Sequence, residues 1–528
     1  MRPSGRLLAV ALGLTVVAAC DAARVPTTSP LGTAIAEGPS VGTAFVPTFA
    51  STTCPDDVTA NVVIAVTCGY LTVLEDRTKP AGRTIRLFVT RFDPPGGTTT
   101  PDPVITLGHL ASQDGYGDMA SGGQRTHRVL YLLDPRGIGH STPSLDCPEV
   151  PLVGPDVAGL RLRDPARAAI VTKAVTACHD RLVAQGIDLA AYDLAANAAD
   201  IDDLRTALGL TTWNLMTNGD TSRLAFEVAR RYPAGLRSLV IDSPSLPSPD
   251  FLSVGPGSLD LALSRLVSTC GAAPACATAF PDTGAMIRAA ISALDAKPVT
   301  LAVSGTVDAI RLGHPIPVVI DGAALVRILR FRLGSGAASG AGLALDAVRD
   351  AIDGKVTADD PNVQAIASDT GDCVGIVTNC ERTNLGALYS ISCRDFAGEV
   401  DASSLTASVA GRAAYAAVFA PSPLLTPCAS WGVAPEPPSA TATSLTGGVP
   451  TLILRGVFDP YSAASSDVAR AVAGAPNVFL IDVPNQSYNT LGFNECPRAI
   501  RNAWIDAPTA TPADTSCLAA IPTIALTP

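Results

Sequence analysis

The stretch that decides the fold is "LMTNGDTSRLAFEVARRYP", residues 215–233. It follows an apolar run that starts at Trp213, and it breaks into the polar turn Thr217–Asp220. From Ser222 onward, Leu224, Ala225, Val228 and Ala229 recur at helical spacing. The reading is a buried strand, a sharp turn and a helix. Such a turn can hold one side chain at its tip, at the end of a sheet, where that side chain can act on a bound molecule. Here the tip is Gly219, which has no side chain to offer.

Working outward, the flanking segments repeat the alternation. "RTIRLFVTRF" (83–92), "PVITLGHL" (103–110), "RVLYLLD" (128–134) and "LRSLVIDSP" (236–244) read as strands. "DPARAAIVTKAVTACHDRLVAQG" (164–186) is helical, and "NAADIDDLRTALG" (197–209) reads as a helix opened by Asn197 and stopped at Gly209. Strands alternating with helices predict an α/β fold, a mostly parallel sheet flanked by helices. From 246 to 446 helical segments such as "GAALVRILRFRL" mix with Gly-, Ala- and Pro-rich loops, which predicts a largely helical cap insertion. Strand signals return at "PTLILRG" (450–456) and "NVFLIDVP" (477–484). The expected organisation is a signal segment at 1–20, a flexible tether at 21–50, a core at 51–245, the cap at 246–446 and the rest of the core at 447–528.

The N-terminus carries Arg2 and Arg6 ahead of "LLAVALGLTVVAA", which runs into Cys20. The run is short for a membrane span and suits the apolar region of an export signal. "VVAAC" resembles a bacterial lipobox, so Cys20 is expected to carry lipid and to anchor the exported chain to a membrane of the cell envelope. That leaves 12 of the 13 cysteines. Neighbours in sequence give the simplest pairs: Cys54/Cys68, Cys147/Cys178, Cys270/Cys276, Cys373/Cys380, Cys393/Cys428 and Cys496/Cys517. No CxxC pair or histidine cluster points to a metal, and no cofactor motif is present. The net charge of −11 and the lack of a basic cluster argue against nucleic acid as a partner.

Four stretches together are similar to one family. "LYLLDPRGIGHSTPSLDCPE" (130–149), "WNLMTNGDTSRLAFEVARRYP" (213–233), "LVIDSP" (239–244) and "TLILRGVFDP" (451–460) resemble the secreted tripeptidyl-aminopeptidase-like branch of the α/β-hydrolase fold. The resemblance covers roughly residues 54–517. It implies serine hydrolysis, as release of short peptides from N-termini or related ester and amide cleavage. Carried over by position, however, the machinery is altered. Anchored on Arg223 and Leu224, the nucleophile position is Gly219, and the flanking glycines become Thr217 and Thr221, which should crowd a tight elbow. Asp459 keeps the acid position. Tyr488 stands where the family has its histidine, and no histidine follows His314. The family's glycine-rich oxyanion loop is replaced by "LGHLASQDGYGDM" (107–119), where His109 and Gln113 are the noticeable residues.

The leading expectation is therefore a catalytically degenerate hydrolase that binds a peptide or protein ligand in its old cleft. The alternative is an active peptidase or esterase with a relocated nucleophile or base among Asp220, Ser222, His109 and His140. A third reading is a structural partner in a surface complex.

Overall fold

A computed structural model describes residues 45–107, 125–246, 251–368, 384–420, 425–436 and 448–526, apart from a few positions inside those stretches. Its centre is a nine-stranded sheet in the order β1-β2-β3-β5-β4-β6-β7-β10-β11. The strands are β1 (Thr48–Thr52), β2 (Val66–Leu74), β3 (Thr84–Phe92), β4 (Val104–Leu107), β5 (Leu130–Leu133), β6 (Trp213–Asn218), β7 (Leu236–Asp242), β10 (Thr451–Gly456) and β11 (Val478–Val483). From β5 to β11 every neighbouring pair is parallel, while β3 runs antiparallel to both β2 and β5. The crossover that places β5 beside β3 and β4 beside β6, with β3 reversed, is the arrangement of the α/β-hydrolase fold.

The central strands are apolar along their length because helices cover both faces. Side chains alternate across the sheet. Leu215, Leu239, Ile241 and Ile453 join one core, with Leu224, Ala225 and Val228 from the helix after β6. Met216, Val240, Leu452 and Leu454 point the other way, onto Ile500 and Trp504.

The helices that matter here are α1 (Pro165–Ala184), α2 (Leu194–Ala207), α3 (Thr221–Arg231), α4 (Phe251–Ala272), α5 (Thr283–Ala296), α6 (Gly322–Gly334), α7 (Ala337–Asp353), α8 (Ala413–Phe419) and α9 (Glu495–Asp506). The α2 helix starts earlier than its sequence suggests. Asp193, not Asn197, is its N-cap and accepts from the Ala196 N–H at 2.7 Å. Asp193 has the extended backbone that an N-cap requires. Asn197 lies one turn in, buried, with its amide on the Asp193 carbonyl at 2.8 Å.

Between β7 and β10, the helices α4 to α8 and the β8–β9 hairpin (Val299–Val303 with Ile316–Ile320) share one core. The short helix Leu385–Ile391 does not belong to it; it packs with Cys178, Leu182 and Trp431 against α1. Among the described residues five disulfides join Cys54–Cys68, Cys147–Cys178, Cys270–Cys276, Cys393–Cys428 and Cys496–Cys517. Cys373, Cys380 and Cys20 lie outside the described residues. Cys147, Cys178 and Glu149 gather within 4.8 Å, but a bond between the two sulfurs accounts for that cluster.

The "DPRGIGHS" stretch (134–141) is structural. Arg136 is buried and holds both carboxylate oxygens of Asp200 at 2.7 and 2.8 Å, with the carbonyls of Glu75 at 2.8 Å and Ala191 at 2.6 Å. A buried guanidinium is tolerated only when its donors are met in this way. Gly139 has a φ of +58°, and an added Cβ would lie 2.2 Å from the Asp134 carboxylate, so no larger residue fits.

Candidate functional site

The site lies at the C-terminal ends of the parallel strands, where open α/β sheets bind their ligands. The turn after β6 keeps the form of a nucleophile elbow. Gly219 has a φ of +58°, a conformation that glycine takes without strain. Its N–H donates to the Asp242 carbonyl at 2.9 Å, and its own carbonyl accepts from the Ser222 N–H at 3.1 Å. The expected crowding by Thr217 and Thr221 does not rebuild the turn. The Thr221 hydroxyl turns back to the Asn218 carbonyl at 2.7 Å and is fully buried. Thr217 is buried inside the strand end.

Tyr488 sits against this turn. A Cβ added to Gly219 would lie 2.1 Å from the Tyr488 hydroxyl oxygen and about 3 Å from the ring. Contacts under 3.0 Å are not sustained by real Cβ atoms, so the phenol takes the space a serine side chain would need. Tyr488 and Gly219, 269 residues apart in sequence, thus face each other at the tip of this turn. Tyr488 keeps part of its surface open, yet its hydroxyl is pushed well above the usual range. Burial is the main cause, followed by Asp220, Asp459 and Asp242. A proton held so tightly makes a poor base and a poor nucleophile.

Asp459 is fully buried, at the position expected for the orienting acid. Its carboxylate accepts from the N–H groups of Tyr461 at 2.8 Å and Ser462 at 3.1 Å, and from the Ser462 hydroxyl. It therefore shapes the turn after β10. Tyr461 from that turn meets Tyr488 edge to face, with ring centres 5.5 Å apart. Arg330 of α6 stands 4.6 Å from the centre of the Tyr461 ring and 5.3 Å from that of Phe419.

The loop that carries Tyr488 is clipped to the end of β7. The Asp242 carboxylate accepts from the Thr490 hydroxyl at 3.0 Å and the Leu491 N–H at 2.9 Å. The Ser243 hydroxyl accepts from the Asn489 N–H at 3.0 Å. Asp242 is completely buried, and its acid is pushed up to about 6, by burial first and by Asp459 further. The Ser487 hydroxyl donates to the Leu333 carbonyl, which ties the same loop to α6.

The other sequence candidates are placed as follows. Ser222 is buried, with its oxygen 2.5 Å from the Gly219 carbonyl, and it accepts from the Ser245 N–H at 2.7 Å. It staples the chain after β7 to the elbow. Asp220 occupies the N-cap position of α3, partly exposed, and makes no side-chain cap bond. His140 faces Asp57 at 3.0 Å and packs on Phe88. His109 and Gln113 lie outside the described residues. Tyr461, Arg330, Asp242 and Ser243 belong to the site but are not picked out by its sequence. Tyr461 directly follows one quoted motif and Asp242 and Ser243 lie inside another, whereas Arg330 has no local signal.

No family model matches this chain. Two curated relatives do, the tripeptidyl aminopeptidases of Streptomyces lividans and Streptomyces coelicolor, each 29% identical over 211 residues. The match spans 36% of this chain and 37% of the length of either relative. Among solved structures, the proline iminopeptidase of Mycobacterium smegmatis aligns at 14% identity and a TM-score of 0.37, covering 80% of this chain and 96% of its own. An alpha/beta hydrolase fold protein from Chitinophaga pinensis aligns at 13% and 0.34, covering 80% and 94%. The strand order itself carries the fold assignment. The chain has the α/β-hydrolase fold and resembles, over 36% of its length, the tripeptidyl aminopeptidases of Streptomyces.

Proposed function

We propose that this protein is a hydrolase-fold binding protein whose serine-hydrolase site is unarmed, and that it takes a peptide or protein ligand. The observation that carries the reading is the Gly219–Tyr488 contact, in which the phenol stands where a serine hydroxyl would project. Two further observations support it. Asp459 spends its carboxylate on its own turn, and Ser222 is buried in backbone bonds.

A fluorophosphonate probe, which labels activated serines, tests the reading. The natural protein should stay unlabelled and should not hydrolyse peptide or ester substrates. Gly219→Ser alone should also stay unlabelled, because Tyr488 blocks it. Gly219→Ser combined with Tyr488→His supplies nucleophile, base and space together, and should label at residue 219. Labelling of the natural protein would end this proposal in favour of the rival reading, an active peptidase or esterase. In that case mass spectrometry of the labelled peptide names the serine that reacted, and its replacement by Ala should abolish the activity.

We further infer that the chain is exported and held at a membrane through lipid on Cys20. The five disulfides support an oxidising compartment. Among the described residues no helix is long and apolar enough to cross a membrane.

A further inference from the structure

We propose that the floor of the old cleft is a binding slot for one p-hydroxyphenyl ring, and that Tyr488 is its in-chain occupant. This rests on the unarmed reading of the same site and names the ligand class that the site accepts. A tyrosyl side chain of another molecule is the natural competitor.

The walls of the slot define its ligand. On one side is the bare backbone of Gly219, 2.1 Å from the phenol oxygen when measured from the Cβ it lacks. On the other is Tyr461, edge to face at an interplanar angle of 80°, the geometry that aromatic pairs favour. Behind Tyr461 the Arg330 guanidinium stacks between two aromatic rings. Asp220, Asp459 and Asp242 are near enough for their charges to act on the hydroxyl. Burial first, and then these acids, favour a protonated phenol over a phenolate.

The occupant rides on a loop. Asn485 and Asn489 have φ values of +55° and +60°, so the segment between β11 and α9 is neither strand nor regular helix around Tyr488. Asp242 and Ser243 hold it from one side and Leu333 from the other. Tyr488, Tyr461, Arg330 and Asp220 each keep part of their surface open, so the filled slot still borders solvent. A ring arriving on another molecule must displace one tethered beside the slot, which holds the advantage of high effective concentration.

The test removes the tether's ring and supplies it in solution. In full-length Tyr488→Gly, p-cresol should raise the thermal midpoint, and toluene, which lacks the hydroxyl, should raise it less. The natural protein should respond to neither. A folded variant indifferent to p-cresol would overturn the slot, as would equal stabilisation of the natural protein. A second measurement avoids the larger truncation. Gly219→Ala is made in the natural protein and in Tyr488→Phe, and urea unfolding is compared. The left-handed backbone strain at 219 is common to both backgrounds and cancels. Removing the hydroxyl should recover at least about tenfold in the unfolding constant lost to Gly219→Ala. No coupling would also overturn the slot. Fluorophosphonate labelling of the natural protein would remove the unarmed reading and leave the slot standing, whereas failure of p-cresol would do the reverse.

Discussion

Asp242 carries the clearest pH signature among single residues. Its carboxyl is completely buried, and the acid is raised from an ordinary 3.8 to about 6, first by burial and also by nearby Asp459. A raised acid favours the protonated folded state. Its stabilisation is full below pH 3.8 and is lost as pH climbs through about 6. The shift of about two units corresponds to about 3 kcal/mol. Asp242→Asn should therefore gain stability relative to the natural protein, by about that amount, between pH 4 and pH 7. Urea unfolding of both proteins at half-unit pH steps reads this directly. A constant difference across the window would mean that Asp242 does not titrate there.

Among elements, α6 is the one that closes the site. Its last turn meets both loops that carry family positions. Tyr461 packs so closely on Gly334 that an added Cβ would lie 2.1 Å from the ring. The Leu333 carbonyl takes the Ser487 hydroxyl. Gly334→Ala should force Tyr461 outward and cost about 1–3 kcal/mol by overpacking, measured by urea unfolding. An unchanged midpoint would mean that the end of α6 has room to shift.

At the scale of the whole molecule, one buried ionic network ties β2, the loop after β5 and α2 together through Arg136, Asp200 and the carbonyls of Leu74, Glu75 and Ala191. Arg136→Ala should cost about 3–5 kcal/mol, because it strands the buried Asp200. Arg77 also contacts Asp200, at 2.5 Å, and is partly exposed. A loss well under 1 kcal/mol would show that Arg77 alone sustains the acid. The proposed export and lipid anchoring are tested at this scale too. Cys20→Ser should move the protein from the membrane fraction to the soluble exported fraction when expressed in a bacterium that processes lipoproteins. Retention in the membrane would point to a different anchor.

The layered α/β architecture was legible from local pattern, because strand and helix periods alternate and the central strands are apolar throughout. The sequence also singled out Gly219, Asp459 and Tyr488 for attention, since the flanking motifs keep register through "SRLAFEVARRYP", "LRGVFDP" and Cys496. The five disulfides within the described residues followed from neighbours in sequence. Local competition between caps decided the start of α2, where Asp193 has the required backbone and Asn197 is drawn into the helix. What the altered positions do together emerges only once the chain is folded. Gly219 and Tyr488 are 269 residues apart, Arg330 lies on a helix with no motif, and Asp242 reaches the loop at Thr490. Contacts between distant segments depend on how strands and loops converge at one end of the sheet. Local pattern encodes the strands, but not which side chain fills the space that a missing one leaves.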